Sequence, residues 1–290
     1  MSDDSGNGRV WFITGSSSGF GKAIAEEALA RGERVVVTAR RPGTVADLVE
    51  AGGERVLPVA LDVLDADQRR RAVDAAVEKF GRIDVLVNNA GRTQVGAVEE
   101  TTDDELRALF ELHFFAPAAL TAAVLPLMRR QEGGGAIVQM SSVGGQTTAP
   151  GFGAYCATKF ALEGLSETLL DEVAPFGIHV LIVEPGAFRT GLFGSGAPVV
   201  SDPMPEYAET VGPTRDYVAS NDGAQPGDSR KAATAIATAL DADDPPLRLV
   251  LGEDAIGNIR GRLERVGEEL ARWEEVGKGT ALDVMKERAP

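Results

Sequence analysis

Residues 154–162 read AYCATKFAL, which sets a phenol and an ammonium, Tyr155 and Lys159, four positions apart among small and apolar side chains. Four residues make about one helical turn, so on a helix the two side chains share a face. In isolation this spacing more often marks an amphipathic helix whose tyrosine lies above a snorkelling lysine. The chemical reading is a proton donor tuned by a cation. A free tyrosine titrates near ~10, and a nearby ammonium favours its phenolate.

A second stretch with chemical content is TGSSSGFGKA, Thr14 to Ala23, where an apolar strand runs into a helical pattern. Gly15, Gly19 and Gly21 let the backbone turn tightly and approach a ligand, and a helix N-terminus supplies free N–H groups and positive potential for a pyrophosphate. A phosphate-cradling P-loop would need Gly at Ser16 and Ser or Thr at Ala23, so no magnesium ligand is in place. Glycines used only for a tight turn are the alternative. The next strand ends VVVTARR. An NAD site places Asp or Glu about 20 residues beyond the glycines, but Ala39 stands there, followed by Arg40 and Arg41. A guanidinium pairs well with a phosphate dianion, which favours NADP(H) over NAD(H). A solvated pair in a loop is the other reading.

These residues need elements to carry them. Short β-branched runs at 10–14, 34–38, 55–61, 83–87, 136–140, 179–183 and 247–251 alternate with helical patterns near 20–31, 66–80, 103–130, 154–174 and 229–241. Nearly continuous apolar strands alternating with helices mean parallel order, a sheet covered on both faces and right-handed crossovers. The fold class is α/β: a single-domain, Rossmann-like, doubly wound parallel sheet of about seven strands. Residues 1–8 read as a disordered N-terminus and 9–252 as the domain. Within it, 191–228 is rich in Gly, Pro, Ser and Asp and reads as a substrate lid or a poorly ordered loop. Residues 253–290 read as an amphipathic helix and tail, because Ile256, Ile259, Leu263, Val266, Leu270 and Trp273 step by three and four.

Composition narrows the function classes. With 43% hydrophobic and 25% charged residues the chain reads as soluble and globular, and no run of about 20 apolar residues offers a membrane span. The segment MSDDSGNG lacks an apolar signal region, and the one cysteine, Cys156, completes neither a disulfide nor a Cys-based metal site. A cytoplasmic protein without a metal is expected. A net charge of -15 opposes nucleic-acid binding by a general basic surface.

Taken in order, TGSSSGFG, NNAG at 88–91, YCATK and PGAFRT at 185–190 resemble the cofactor, post-strand, catalytic and PGxxxT motifs of the short-chain dehydrogenase/reductase family, a similarity covering roughly 9–251. The resemblance implies that Tyr155 is the general acid/base and that Lys159 orients the nicotinamide ribose while tuning the phenol. The family's catalytic serine lies thirteen positions before its tyrosine, which implies Ser142 rather than Ser141. Cofactor contacts are implied for Gly15, Ser17, Ser18, Gly19, Phe20 and Gly21, for Arg40, Arg41, Asp62 and Val63, for Asn89, Ala90 and Gly91, and for Pro185, Gly186, Phe188 and Thr190. One departure is His113, in ELHFFAPAAL, where the family commonly has an Asn that holds a relay water. An imidazole could hold that water, could shuttle protons, or could be a structural core histidine.

The expected activity is NADP(H)-dependent interconversion of a carbonyl and a secondary alcohol on a small, apolar substrate, by a homodimer or homotetramer. The competing reading is a non-catalytic NADP(H) sensor on the same fold; an intact Ser142, Tyr155 and Lys159 argue against it. A sugar-nucleotide epimerase would show TGxxGxxG and a longer C-terminal domain. Phe188, Leu192, Phe193, Met204 and Tyr207 suggest an apolar pocket wall, and no arginine clamp for an anionic substrate is evident.

Overall fold

The computed structural model describes residues 8–194 and 198–282. In chain order, β1 (Val10–Ile13), α1 (Gly19–Ala30), β2 (Arg34–Ala39), α2 (Ala46–Gly52), β3 (Val56–Ala60), α3 (Ala66–Phe80) and β4 (Val85–Asn88) build the first half. After a two-residue strand β5 (Gln94–Val95) come α4 (Asp103–Phe110), α5 (Ala116–Met128), β6 (Gly135–Met140), α6 (Gly153–Val173) and β7 (Ile178–Pro185). The chain ends with β8 (Val199–Val200), α7 (Ala208–Ser220), α8 (Ser229–Leu240), β9 (Arg248–Leu251) and α9 (Glu253–Lys278).

All seven long strands pair in parallel in the order β3-β2-β1-β4-β6-β7-β9. Alternation within each strand sends side chains to two cores. Trp11 and Ile13 join Val35, Val37, Val87 and Leu181 under α1 and α8, while Val10 and Phe12 join Val36, Leu86, Ile137 and Val180 under α3, α5 and α6. Pro58, which cannot donate to a ladder, is carried by β3 at the sheet edge. The seven expected strands and their doubly wound order are present. So are the five expected helices.

Three expectations need revision. The 191–228 segment is not an unstructured connection: β8 pairs with β5, and α7 forms despite the internal Pro213. Residues 195–197 lie outside the described part, as do 1–7 and 283–290; Gly8 is held by Arg34, whose guanidinium donates to its carbonyl at 2.7 and 3.1 Å. Finally, the continuous helical run 103–128 is long and apolar enough to cross a bilayer by length and composition, contrary to the reading that no stretch is. In the fold it packs on the sheet through Leu120, Val124 and Met128.

Candidate active site

A cleft of about 620 Å³ opens at the C-terminal ends of β1, β2, β4, β6 and β7, the end of a doubly wound sheet where ligands bind. Gly15 and Gly19 sit at φ +69° and +55°, in the left-handed region that glycine alone enters readily, and bend the chain from β1 into α1. Gly21 has a different reason for its identity. A Cβ there would lie 2.3 Å from the Gly15 carbonyl, so this glycine lets the turn close on the helix. Asn89 braces the same turn, donating from Nδ2 to the Thr14 carbonyl at 2.8 Å and the Gly15 carbonyl at 3.1 Å. Ser18 caps α1 without a side-chain bond, which leaves first-turn N–H groups for an anion.

The expected cofactor residues fall into two groups. Gly15, Ser17, Ser18, Phe20, Arg40, Asp62, Val63, Asn89, Ala90, Gly91, Tyr155, Lys159, Pro185, Gly186, Phe188 and Thr190 all line the cleft. Gly19, Gly21 and Arg41 do not: the two glycines shape the turn, and Arg41 is exposed at the start of the short helical turn Pro42–Val45, next to Arg40. Phe20 and Phe188 pack ring to ring at 5.2 Å, and Thr190 lies against Gly19, so the chain after β7 closes over the glycine turn. These groups fit a dinucleotide: helix N–H groups for its pyrophosphate, Arg40 towards one end and proton donors at the other.

At that other end α6 presents Tyr155 and Lys159 one turn apart, with Ser142 on the same wall of the cleft. Lost solvation pushes the phenol up to about 12, against the Ser142 hydroxyl, which lowers it. Lys159 does not draw it down as expected. Its Nζ lies 5.7 Å from the centre of the Tyr155 ring and donates to the Met140 carbonyl at 2.8 Å. Burial lowers the ammonium to about 8, with Glu163 opposing. The phenol is thus protonated at neutral pH, ready to give a proton.

Ser141 faces the other way. Its hydroxyl donates to Glu163 Oε1 at 2.5 Å, and Arg248 reaches both Glu163 and Glu184 at 3.1 Å. Burial raises the Glu163 carboxyl to about 7 and Glu184 in the same direction. Both serines line the cleft, but the Ser141 hydroxyl is engaged by Glu163.

His113 departs from the relay expectation. The Thr158 hydroxyl donates to the Tyr155 carbonyl at 2.7 Å, so it accepts from the His113 Nδ1–H at 2.9 Å. Nε2 is then the acceptor, and the Arg92 N–H donates to it at 3.2 Å. Both ring nitrogens are committed to protein, which leaves neither for a water or a travelling proton. Burial, Lys159 and Arg92 hold the ring well below its usual pKa, so it is neutral. Its edge meets the Tyr155 ring at 5.5 Å and 88°. The His113 ring packs against the phenol from a π-helical turn over Glu111–Phe115 that locally widens the helix.

The segment after β7 is tied to the body. Glu100 accepts the Met204 N–H at 2.7 Å and the Ala97 N–H at 2.6 Å and pairs with Arg215 at 2.5 Å, while the Thr214 hydroxyl donates to the Pro150 carbonyl at 2.8 Å. Phe188, Leu192 and Phe193 line the main cleft as expected, but Met204 and Tyr207 line a separate hollow with Glu100 and Arg215. Sequence reasoning missed Arg92, Val199 and Gln225 in the cleft wall. Arg92 directly follows NNAG, has a buried Nε without a partner and makes no ion pair among the described residues. Its sequence context carries no signal that could have found it.

Comparison with known proteins agrees with this geometry. Residues 9–197 match the short chain dehydrogenase family. An oxidoreductase of Botryotinia fuckeliana is 42% identical over 276 residues, 94% of this chain and 99% of that one. A short-chain dehydrogenase from Streptomyces avermitilis superposes with a TM-score of 0.89 at 56% identity, covering 97% of this chain and 100% of that one. Two further crystal structures, each 26% identical, come from Burkholderia: a protein of B. phymatum in complex with NAD (TM-score 0.79; 91% and 96% of the chains) and one of B. cenocepacia in complex with NADP (0.71; 92% and 97%). The chain belongs to the short-chain dehydrogenase family of oxidoreductases.

Proposed function

We propose that the protein is an NADP(H)-dependent oxidoreductase that interconverts a carbonyl and a secondary alcohol, with Tyr155 as general acid/base. The observation that carries this reading is the meeting of Ser142, Tyr155 and Lys159 at one end of a cleft whose far end holds Arg40. When bound, the dinucleotide supplies or takes up the hydride. In reduction the protonated Tyr155 donates to the carbonyl oxygen, and Ser142 donates a hydrogen bond to the same atom. The Lys159 ammonium, charged below about 8, is the cation one helical turn from the phenolate that remains. Proton donation by a positioned side chain contributes roughly 100- to 10,000-fold. Solved relatives hold NAD or NADP; Arg40, without an acidic residue at the end of β2, favours NADP(H).

Leu192, Phe193 and Val199 give the substrate end an apolar wall, with Arg92 as one polar point on it. Loss of catalysis on a retained fold has no support in the His113 substitution, since that ring serves packing. A panel of ketones, quinones, steroids and aldehydes with NADPH, followed at its absorbance band, tests the reading. Turnover abolished in Tyr155→Phe with cofactor binding intact is the expected result. Equal turnover in that variant would overturn it.

A further inference from the structure

Helix α9 begins as part of the body and ends outside it. Ala255 and Ile259 are buried, and the Arg262 guanidinium lies 5.4 Å from the centre of the Phe160 ring. From Leu263 to Lys278 every residue is exposed, roughly 24 Å of helix at 1.5 Å per residue. A lone helix of that length is marginal in water, and Gly267 and Gly277 weaken it further. Yet its apolar residues are not scattered. Leu263, Val266, Leu270 and Trp273 continue the three-and-four stepping of Ile256 and Ile259 and are 55%, 43%, 71% and 62% exposed. Such a seam is the pattern of a helix that packs against another helix.

Charge selects the partner. Over 260–265, Arg260, Arg262 and Arg265 outnumber Glu264, whereas over 268–278 Glu268, Glu269, Glu274 and Glu275 outnumber Arg272 and Lys278. An anionic membrane surface would repel the outer, acidic half that carries Leu270 and Trp273. A second copy laid antiparallel sets each basic half beside an acidic one; a parallel copy sets like beside like.

We infer that α9 pairs with α9 of a second copy of this chain, antiparallel about a twofold axis, with Leu263 meeting the partner's Trp273 and Val266 meeting the partner's Leu270. The same alignment sets Arg260 beside the partner's Glu274. Its cost is Glu269, which meets the partner's Glu269 near the axis. The contact is isologous and closed. The two tryptophans alone bury on the order of 300–500 Å², towards the roughly 1,200 Å² of a small specific interface; the leucines and valines extend it.

Sedimentation velocity on the full chain tests the inference. The double substitution Leu263→Glu and Leu270→Glu, at exposed positions outside the packed body, is expected to halve the mass of the assembly while the body keeps its cooperative unfolding, with any loss of helical circular dichroism no larger than the fraying of residues 263–278. A monomeric wild type, its seam covered by residues 283–290 or not at all, overturns the inference, as does a mass that the substitutions leave unchanged. Orientation is read by cysteines, since the native Cys156 is buried. Under mild oxidation Trp273→Cys mixed with Leu263→Cys forms a disulfide-linked dimer, while Trp273→Cys alone does not. Self-coupling of Trp273→Cys would establish the parallel arrangement and refute the antiparallel one.

Discussion

Replacing His113 by leucine separates packing from proton transfer. The imidazole is 1% exposed, accepts the Arg92 N–H and donates to Thr158, and Leu fills much of its volume without either bond. Thr158 keeps its bond to the Tyr155 carbonyl, so the main new defect is an unpaired Arg92 N–H. Leaving such a donor unsatisfied costs about 1–3 kcal/mol. Unfolding entropy of ~2.1 cal/mol/K per residue over 290 residues gives roughly 0.6 kcal/mol/K, so Tm should fall by about 2–5 °C. With no free ring nitrogen in the wild type, kcat per folded molecule should stay within roughly threefold, a barrier change under ~1 kcal/mol. Because the ring is neutral, the wild-type pH profile should show no ionisation near ~6.5. Differential scanning calorimetry beside kcat against pH decides the matter. An unchanged Tm with turnover reduced ~30-fold or more (~2 kcal/mol), or a wild-type ionisation near ~6.5 that the Leu variant lacks, would refute this reasoning and return the ring to the proton route.

Three further outcomes follow from the same geometry. Arg40→Ala should weaken NADPH binding by about 1.5–3 kcal/mol, roughly 10- to 150-fold, with NADH nearly untouched, and Arg41→Ala should do little, since only Arg40 lines the cleft; calorimetric titration with both cofactors checks the pair. Ser142→Ala should lower kcat on the order of 100-fold, whereas Ser141→Ala should spare turnover and lower Tm, because it removes a partner of buried Glu163; the opposite ranking in kinetics and melting would show the roles exchanged. Glu163, raised from its ordinary value to about 7, contributes stability that is fully present below about 4.5 and lost as pH rises through about 7, so Glu163→Gln should flatten the stability–pH curve in that window by on the order of 3 kcal/mol; urea titrations at pH 4.5 and 7.5 that show parallel curves would remove Glu163 as the source.

What the sequence made legible, and what it did not, divides along range. The seven strands were readable because a strand buried on both faces must be nearly continuous in apolar residues, and that constraint acts within a few positions. Helix α7 was not readable, because Gly212 and Pro213 argue against a helix and what holds it is distant in sequence: Arg215 on Glu100, and Thr214 on Pro150. At the site, Tyr155 and Lys159 are legible only together with TGSSSGFG, NNAG and PGAFRT in the same order, since their spacing alone fits an ordinary amphipathic helix. The function of His113 depends on Thr158, 45 residues away, and on the Arg92 N–H, 21 residues away, neither of which leaves a mark beside it. Local pattern therefore locates the chemical groups. Whether a located group is free to react depends on contacts made across the fold, and His113 lacks that freedom because its two nitrogens already have partners.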